Sequence, residues 1–350
     1  MTKKRCAVVG ATGIAGQQFL VALDGHPWFE VVRLAASERS AGQTYAEALR
    51  DDKTGARRWW CAEEPPASVL GLRVDHGEAL DLDGIDVVFS AVPSDPARRL
   101  EPRYAKTTAV LSTASAFRYE EDVPIMVPGV NGAHAALIER QRARRGWSGF
   151  IVPLPNCTTM GLVVTLKPLL DRFGIERVVM TSMQGVSGAG RSPGVMALDI
   201  VDNVIPYIPG EEEKVARETG KILGAAFPLS ATCTRAAVTE GHTEAVSVSL
   251  GRHATPADVA AAFREFSPGL GGLPSAPRRL ITVHDDPFRP QPRLDRDADS
   301  GMTTSVGRIR EDAALDHGIK YVLVSHNTKM GAAKGAVLTA EYLLTAGYIK

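Results

Sequence analysis

The chain has 350 residues, 44% of them hydrophobic and 23% charged, which is the make-up of an ordinary globular protein long enough for two packed domains. Its 40 Lys and Arg balance 40 Asp and Glu, and no run of one sign marks a surface for nucleic acid or membrane. Cys6, Cys61, Cys157 and Cys233 are widely spaced, form no metal-binding pattern, and read as free thiols of a reducing compartment.

The apolar stretch CAVVG after MTKKR is too short for a signal segment or a membrane span, so a cytoplasmic protein is expected. It opens CAVVGATGIAGQQFLVAL, a short β-branched run, a glycine turn, and a stretch with Phe19, Leu20 and Leu23 on one helical face. Apolar runs at 31–37, 86–94 and 109–115 each close in small or turn residues, the pattern of buried parallel strands in a doubly wound α/β sheet. Between 38 and 83 the chain is polar and turn-rich, and no element is assigned apart from a loop at 63–66.

From about residue 150 the texture changes. RVVMTSMQGVSGAG, TEAVSVSLG and SVGRIR read as strands and EEEKVARETGKILGA as a helix, predicting an α+β domain with an antiparallel or mixed sheet. The tail, GAAKGAVLTAEYLLTAGYIK, has helical spacing and is expected to pack back on the first domain. The boundaries expected are 1–155 for the first domain, completed by a C-terminal helix within 326–350, and 156–325 for the second.

GATGIAG, at 10–16, sets Gly10, Gly13 and Gly16, with Thr12 and Ile14 between them, after a strand and at a helix start. Bare backbone N–H groups and the helix dipole can hold a nucleotide phosphate there. A glycine triplet is also what a tight strand-to-helix turn needs; its place in the first βα unit favours a nucleotide. At the end of the second strand, Ser37, Arg39 and Ser40 suit a 2′-phosphate and favour NADP, whereas Glu38 in the same loop argues for NAD.

Cys157, in PNCTTMG, stands before the amphipathic run GLVVTLKPLL. A thiol at a helix start has its thiolate favoured by the dipole, and the following N–H groups with the Asn156 side chain offer an oxyanion hole. An inert buried cysteine is the other reading of the same context. His242, just before an alternating strand, is the candidate base, and Arg235, seven residues upstream, a bidentate carboxylate ligand. Taken singly, each also reads as a turn histidine and a surface charge.

Together these segments resemble the aspartate-semialdehyde dehydrogenases, particularly the archaeal and fungal branch, over nearly the full length. GATGIAG, HPWFEV, ASERSAG, PNCTTMGL, LDIVDNVIPYIPGEEEKV, EGHTEAV, GMTTSVGRIRED and HNTKMGAA carry the likeness. The resemblance implies a Rossmann-like NADP-binding domain, a catalytic and dimerisation domain, and a homodimer or homotetramer active in amino-acid biosynthesis. It also implies a reaction between aspartate semialdehyde, phosphate and NADP on one side and 4-phosphoaspartate and NADPH on the other, through a thioester on Cys157.

On that basis His242 is the acid/base, Gln184 aligns the thiol, and Asn156 orients substrate. Arg235 matches the substrate carboxylate ligand, Glu211 the partner of the substrate ammonium, and Lys214 and Arg118 the phosphate ligands. Ser187 and Gly188 resemble residues lining the nicotinamide, and Asn327 the contact of its carboxamide.

The chain departs from the family pattern at Thr113 (asparagine expected), Gly129 (glutamate), Met330 (arginine) and Arg191 (tyrosine), substitutions expected to bear on the acyl pocket. They motivate one rival, a specialised-metabolism paralog; another is a malonyl-CoA reductase, which the resemblance implies would share the scaffold and thioester chemistry but take a CoA ester. N-acetylglutamyl-phosphate reductase suits Glu211, Lys214 and Arg235 less well. A non-catalytic NADP-binding sensor is the alternative of another class, against which retention of Cys157, Gln184, Arg235 and His242 together speaks.

Overall fold

The apolar run KRCAVV forms β1 (Lys4–Val9), whose last four residues are fully covered, as a strand buried on both faces requires. The computed structural model that shows this describes residues 2–189 and 197–350. Around β1 are β2 (Phe29–Ala36), β3 (Val74–His76), β4 (Val87–Ser90), β5 (Ala109–Ser112) and β6 (Phe150–Pro153). They pair in the order β3-β2-β1-β4-β5-β6, every pair parallel. This is the expected Rossmann-like sheet, and its order reverses beside β1, where such sheets open a crevice at the strand ends.

Two strands of this sheet escaped the sequence reading. β3 lies in the unassigned 38–83 segment, beside the short helices Tyr45–Ala48 and Ala67–Leu70, and β6 is the four-residue run before Cys157.

The second sheet contains β7 (Ile175–Gln184), β8 (Val204–Ile205), β9 (Leu229–Ala236), β10 (His242–Leu250), β11 (Ile281–Val283), β12 (Thr304–Glu311) and β13 (Gly318–Ser325). Its order is β11-β12-β13-β10-β7-β9-β8. The β7–β9 and β11–β12 pairs are parallel and the rest antiparallel, so the sheet is mixed, as expected. The strand predicted over 177–190 stops at Gln184, and Val186–Ala189 turns as a 3-10 helix. Gly190 and Arg191 lie outside the described residues.

Helix Cys157–Phe173 packs on β10 and β13, and helix Glu211–Leu223 packs on it and on β9. The C-terminal helix Ala333–Thr345 lies against helix Ile14–Leu23 and β5, and a buried His26–Glu341 contact of 2.8 Å secures it. Among the described residues no helix is long and apolar enough to cross a membrane.

Candidate active site

The glycine loop is built for close approach. Gly10 has φ +79°, and a Cβ there would stand 2.5 Å from the Ala91 carbonyl; one on Gly16 would stand 2.1 Å from the Gly10 carbonyl. Helix Ile14–Leu23 is thereby pressed onto the turn after β1. Its N-cap, Gly13, brings no side-chain oxygen to the first-turn amides, which leaves them to an anionic ligand.

A cleft of about 570 Å³ runs from Thr12, Gly13 and Ile14 to Asn156, Cys157 and Arg118, and Arg39, Ser187, Gly188 and Asn327 also line it. A smaller hollow of about 310 Å³ shares Thr12 and Gly13 and reaches Ser37, Glu38 and His76 at the ends of β2 and β3. Ser37 and Arg39 thus reach these spaces. Ser40 does not: it is buried under its own turn, its N–H donating to the Ser37 carbonyl, and lines neither space.

Arg58 and Trp60, from the unassigned segment, complete one wall. Buried Gln17 holds them there, donating to the Arg58 carbonyl (2.7 Å) and to the Thr12 carbonyl (3.2 Å) and accepting the Trp60 N–H (2.8 Å). A glutamine inside an apolar helix face was the only trace of this wall in the sequence.

Cys157 is the first residue of its helix. The Asn156 side-chain oxygen caps that helix, accepting from the N–H of Thr158 (2.9 Å) and of Thr159 (3.3 Å). The Asn156 amide nitrogen donates to Glu211 Oε1 at 2.8 Å. These bonds already engage the Thr158 and Thr159 N–H groups and one of the two N–H bonds of the Asn156 amide.

Cys157 Sγ lies 3.1 Å from His242 Nε2, and His242 Nδ1 accepts the Gly185 N–H at 3.1 Å. The second bond assigns the proton of the neutral ring to Nε2, so the imidazole meets the sulfur as a donor. Direct uptake of the thiol proton by Nε2 needs the other tautomer, in which Nδ1–H would oppose the Gly185 N–H.

Burial disfavours the charged form of both groups. It pushes the thiol up to about 12, with the Glu211 carboxylate adding to the rise and Arg235, Arg118 and the Thr158 N–H opposing it. Desolvation likewise takes His242 down to about 3, helped by Arg235 and His326. The expectation that the helix start by itself favours a thiolate is therefore corrected: desolvation outweighs the dipole.

Arg235, on β9, sits in register opposite Gln184. Its buried guanidinium donates to the Gly185 carbonyl at 2.8 Å and has no salt-bridge partner among the described residues. Gly188 lies close above, where a Cβ would come within 3.3 Å of both Arg235 Nη1 and His242 Cε1. Gln184 is buried nearby, but its amide donates to Ser182 Oγ at 3.1 Å and not to the thiol it was expected to align. The neighbouring Gly185, through its backbone, makes the contacts with His242 and Arg235.

Asn327 accepts the Gly241 N–H and donates to Ser187 Oγ, each at 2.8 Å, which brings the loop before the C-terminal helix to the cleft. Glu211 Oε2 stands 3.6 Å from Lys214 Nζ one turn on. Arg118 faces the cleft and is held by the Thr113 carbonyl (3.0 Å) and by Glu218 Oε1 (3.0 Å), a residue the sequence reading passed over.

Of the departures from the family pattern, only Thr113 lines the cleft. Met330 is buried, its sulfur accepting from Thr304 and Ser325. Gly129 has φ +87°, with Leu280 and Pro268 within 2.8 Å of any Cβ, so a side chain there requires a different loop. Neither lines the cleft, and Arg191 lies outside the described residues.

Residues 5–138 match the family model described as semialdehyde dehydrogenase, NAD binding domain, and residues 166–330 the one described as semialdehyde dehydrogenase, dimerisation domain. The chain is 46% identical over 347 residues to an aspartate-semialdehyde dehydrogenase of Methanothermobacter thermautotrophicus, covering 96% of this chain and 97% of that protein. It is 42% identical over 372 residues to that of Candida albicans, covering 98% of each. The crystal structure of aspartate-semialdehyde dehydrogenase with NADP from Candida albicans superposes with a TM-score of 0.88 at 38% identity, covering 99% of this chain and 100% of that one.

These likenesses place the chain among oxidoreductases that act on aldehyde groups and carry a nicotinamide-nucleotide domain. It belongs to the aspartate-semialdehyde dehydrogenase family.

Proposed function

We propose that the chain interconverts L-aspartate 4-semialdehyde, phosphate and NADP+ with 4-phospho-L-aspartate and NADPH, through a thioester on Cys157, as a step of amino-acid biosynthesis. The observation that carries this reading is the 3.1 Å contact of Cys157 with His242 at one end of a cleft whose other end is the glycine loop.

The cradle fits a dinucleotide: Gly10 and Gly16 leave room for backbone to approach a pyrophosphate, and the uncapped helix start supplies donors. Arg39 on the cleft and Ser37 on the adjoining hollow favour a 2′-phosphate, with Glu38 beside them the opposing charge. When bound, the nicotinamide accepts the hydride. Ser187, Gly188 and Asn327 would line its ring and carboxamide.

Arg235, without a salt-bridge partner among the described residues, suits the substrate carboxylate, and Glu211 the ammonium. An ammonium on Glu211 would offset one of the two causes that raise the thiol, so substrate would help generate the thiolate it meets. His242, the acid/base, would hydrogen-bond the sulfur as negative charge develops; a full proton uptake has to break its contact with Gly185. Arg118, with Lys214, supplies the cations for the phosphate.

The uncovered face of the second sheet, with Val179, Met183 and Val204 exposed, and the match to a dimerisation model support a homo-oligomer. The reading also expects a cytoplasmic enzyme.

The test is NADPH formation from aspartate semialdehyde with phosphate, set against CoA for phosphate, malonate semialdehyde for the substrate, and NAD for the cofactor. Turnover only with CoA turns the assignment to a malonyl-CoA reductase. NADP binding without turnover turns it to a sensor.

A further inference from the structure

We propose that Glu218 is a positioning residue for the phosphate step: it aims Arg118 into the cleft and ties it to the start of the cysteine helix. This rests on the proposed phosphate-dependent reaction and adds a residue to it.

Glu218 lies on helix Glu211–Leu223, four residues after Lys214 and seven after Glu211, so all three share one face. Its carboxylate is fully buried. Oε1 accepts from Arg118 Nη1 at 3.0 Å and from the Tyr119 hydroxyl at 3.3 Å, and Oε2 accepts the Asn156 N–H at 2.6 Å. One carboxylate therefore holds both the arginine that faces the cleft and the backbone of the residue before the nucleophile.

The remaining bonds of Arg118 show what this achieves. Nη2 donates to the Thr113 carbonyl at 3.0 Å, while Nε is buried without a hydrogen-bond partner among the described residues. With one bond on each terminal nitrogen the fork is fixed in orientation, and the unused donors remain for an anion at the Cys157 end of the cleft. A guanidinium this deeply buried requires a counter-charge, and Glu218 is its salt-bridge partner.

The same helix grips the segment after Arg118 by two further contacts. Arg217 lies over the Tyr119 ring at 3.8 Å, and Lys221 Nζ donates to the carbonyls of Arg118, Glu120 and Val123. These hold the Tyr119 ring and the backbone; the hydrogen bond from this helix to the guanidinium is the one made by Glu218.

The experiment is Glu218→Gln, alone and combined with Arg118→Ala, in the phosphate-dependent assay. Glutamine offers one acceptor oxygen and turns an NH2 group toward either Arg118 or the Asn156 N–H, both donors. The phosphate KM is expected to rise about tenfold or more while NADP affinity stays within about twofold. In the Arg118→Ala background the substitution should raise the phosphate KM no further, because its target is gone.

An unchanged phosphate KM, or the same rise with and without Arg118, overturns the role. If Glu218→Gln does not fold, Glu218→Asp keeps the charge but withdraws it by one methylene, and an unchanged phosphate KM in that variant is equally fatal. Absence of phosphate-dependent turnover in the unaltered enzyme overturns the functional reading, and this role with it.

Discussion

Cys157 Sγ and His242 Nε2 are 3.1 Å apart although one heads the helix that follows β6 of the first sheet and the other opens β10 of the second. A thiol in that position, if it carries a thioester, is indispensable to chemistry and peripheral to nucleotide binding. Cys157→Ala should abolish turnover and leave NADP affinity within about twofold. Steady-state kinetics beside NADP titration check this, and a variant retaining near-normal rate defeats the thioester.

The raised thiol makes a statement about reactivity. With Cys157 raised to about 12, its rate of alkylation in the absence of substrate should climb about tenfold per pH unit from pH 7 to 9 without a plateau. Glu211→Gln removes one cause of the rise, so it should speed alkylation at fixed pH while weakening substrate binding. Iodoacetamide kinetics followed by mass spectrometry decide it; slower alkylation in the variant contradicts the electrostatic account.

Acid stability should carry the signature of buried neutral histidines. Burial lowers His242 to about 3 and His326 to about 4, from an ordinary value of 6.5. A histidine so depressed binds its proton more readily when unfolded. Its contribution is therefore intact above pH 6.5 and is lost as pH falls through the interval down to its folded value, at about 1.4 kcal/mol per pH unit for each ring. His242→Gln should flatten the acid limb between pH 6 and 4 by that amount. Urea melts at several pH values measure it, and an unaltered slope excludes the assignment.

The glycine loop admits a direct steric test. Gly16→Ala would place a methyl 2.1 Å from the Gly10 carbonyl and force the helix start away from the loop. NADP affinity should fall about tenfold or more, with stability also reduced. Isothermal titration checks this, and wild-type affinity would show that the helix start does not bind the cofactor.

Long periodic stretches were legible in the sequence: the glycine turn between β1 and its helix, the helix after Cys157, and the alternating β10. β3 and β6 were not: β3 is three residues inside the polar, turn-rich 38–83 segment, and β6 is a four-residue run that ends in Pro153 with Pro155 close behind. The site residues were legible chiefly through the family resemblance, since His242 and Arg235 taken singly read as turn and surface. What stayed hidden was work done by backbone and by burial. Gly185 acts through its N–H and carbonyl, which no residue type announces. Glu218, on a helix rich in glutamates, reads as a solvated charge until the fold buries it. Ser40 looked like a ligand because a hydroxyl in a loop gives no sign of which way it turns.

Helix Glu211–Leu223 places Glu211, Lys214 and Glu218 along a single rod, and Asn156 is bonded to the first through its side chain and to the last through its backbone. On the proposed reading, recognition of the amino group, handling of phosphate and placement of the sulfur are thus geared together. A shift of that rod by a fraction of an ångström would detune all three at once. Such a protein can explore new acyl groups through the Thr113 side chain, whose hydroxyl turns to the Ser90 carbonyl while its backbone holds Arg118, but an insertion anywhere along the rod would stall the whole train.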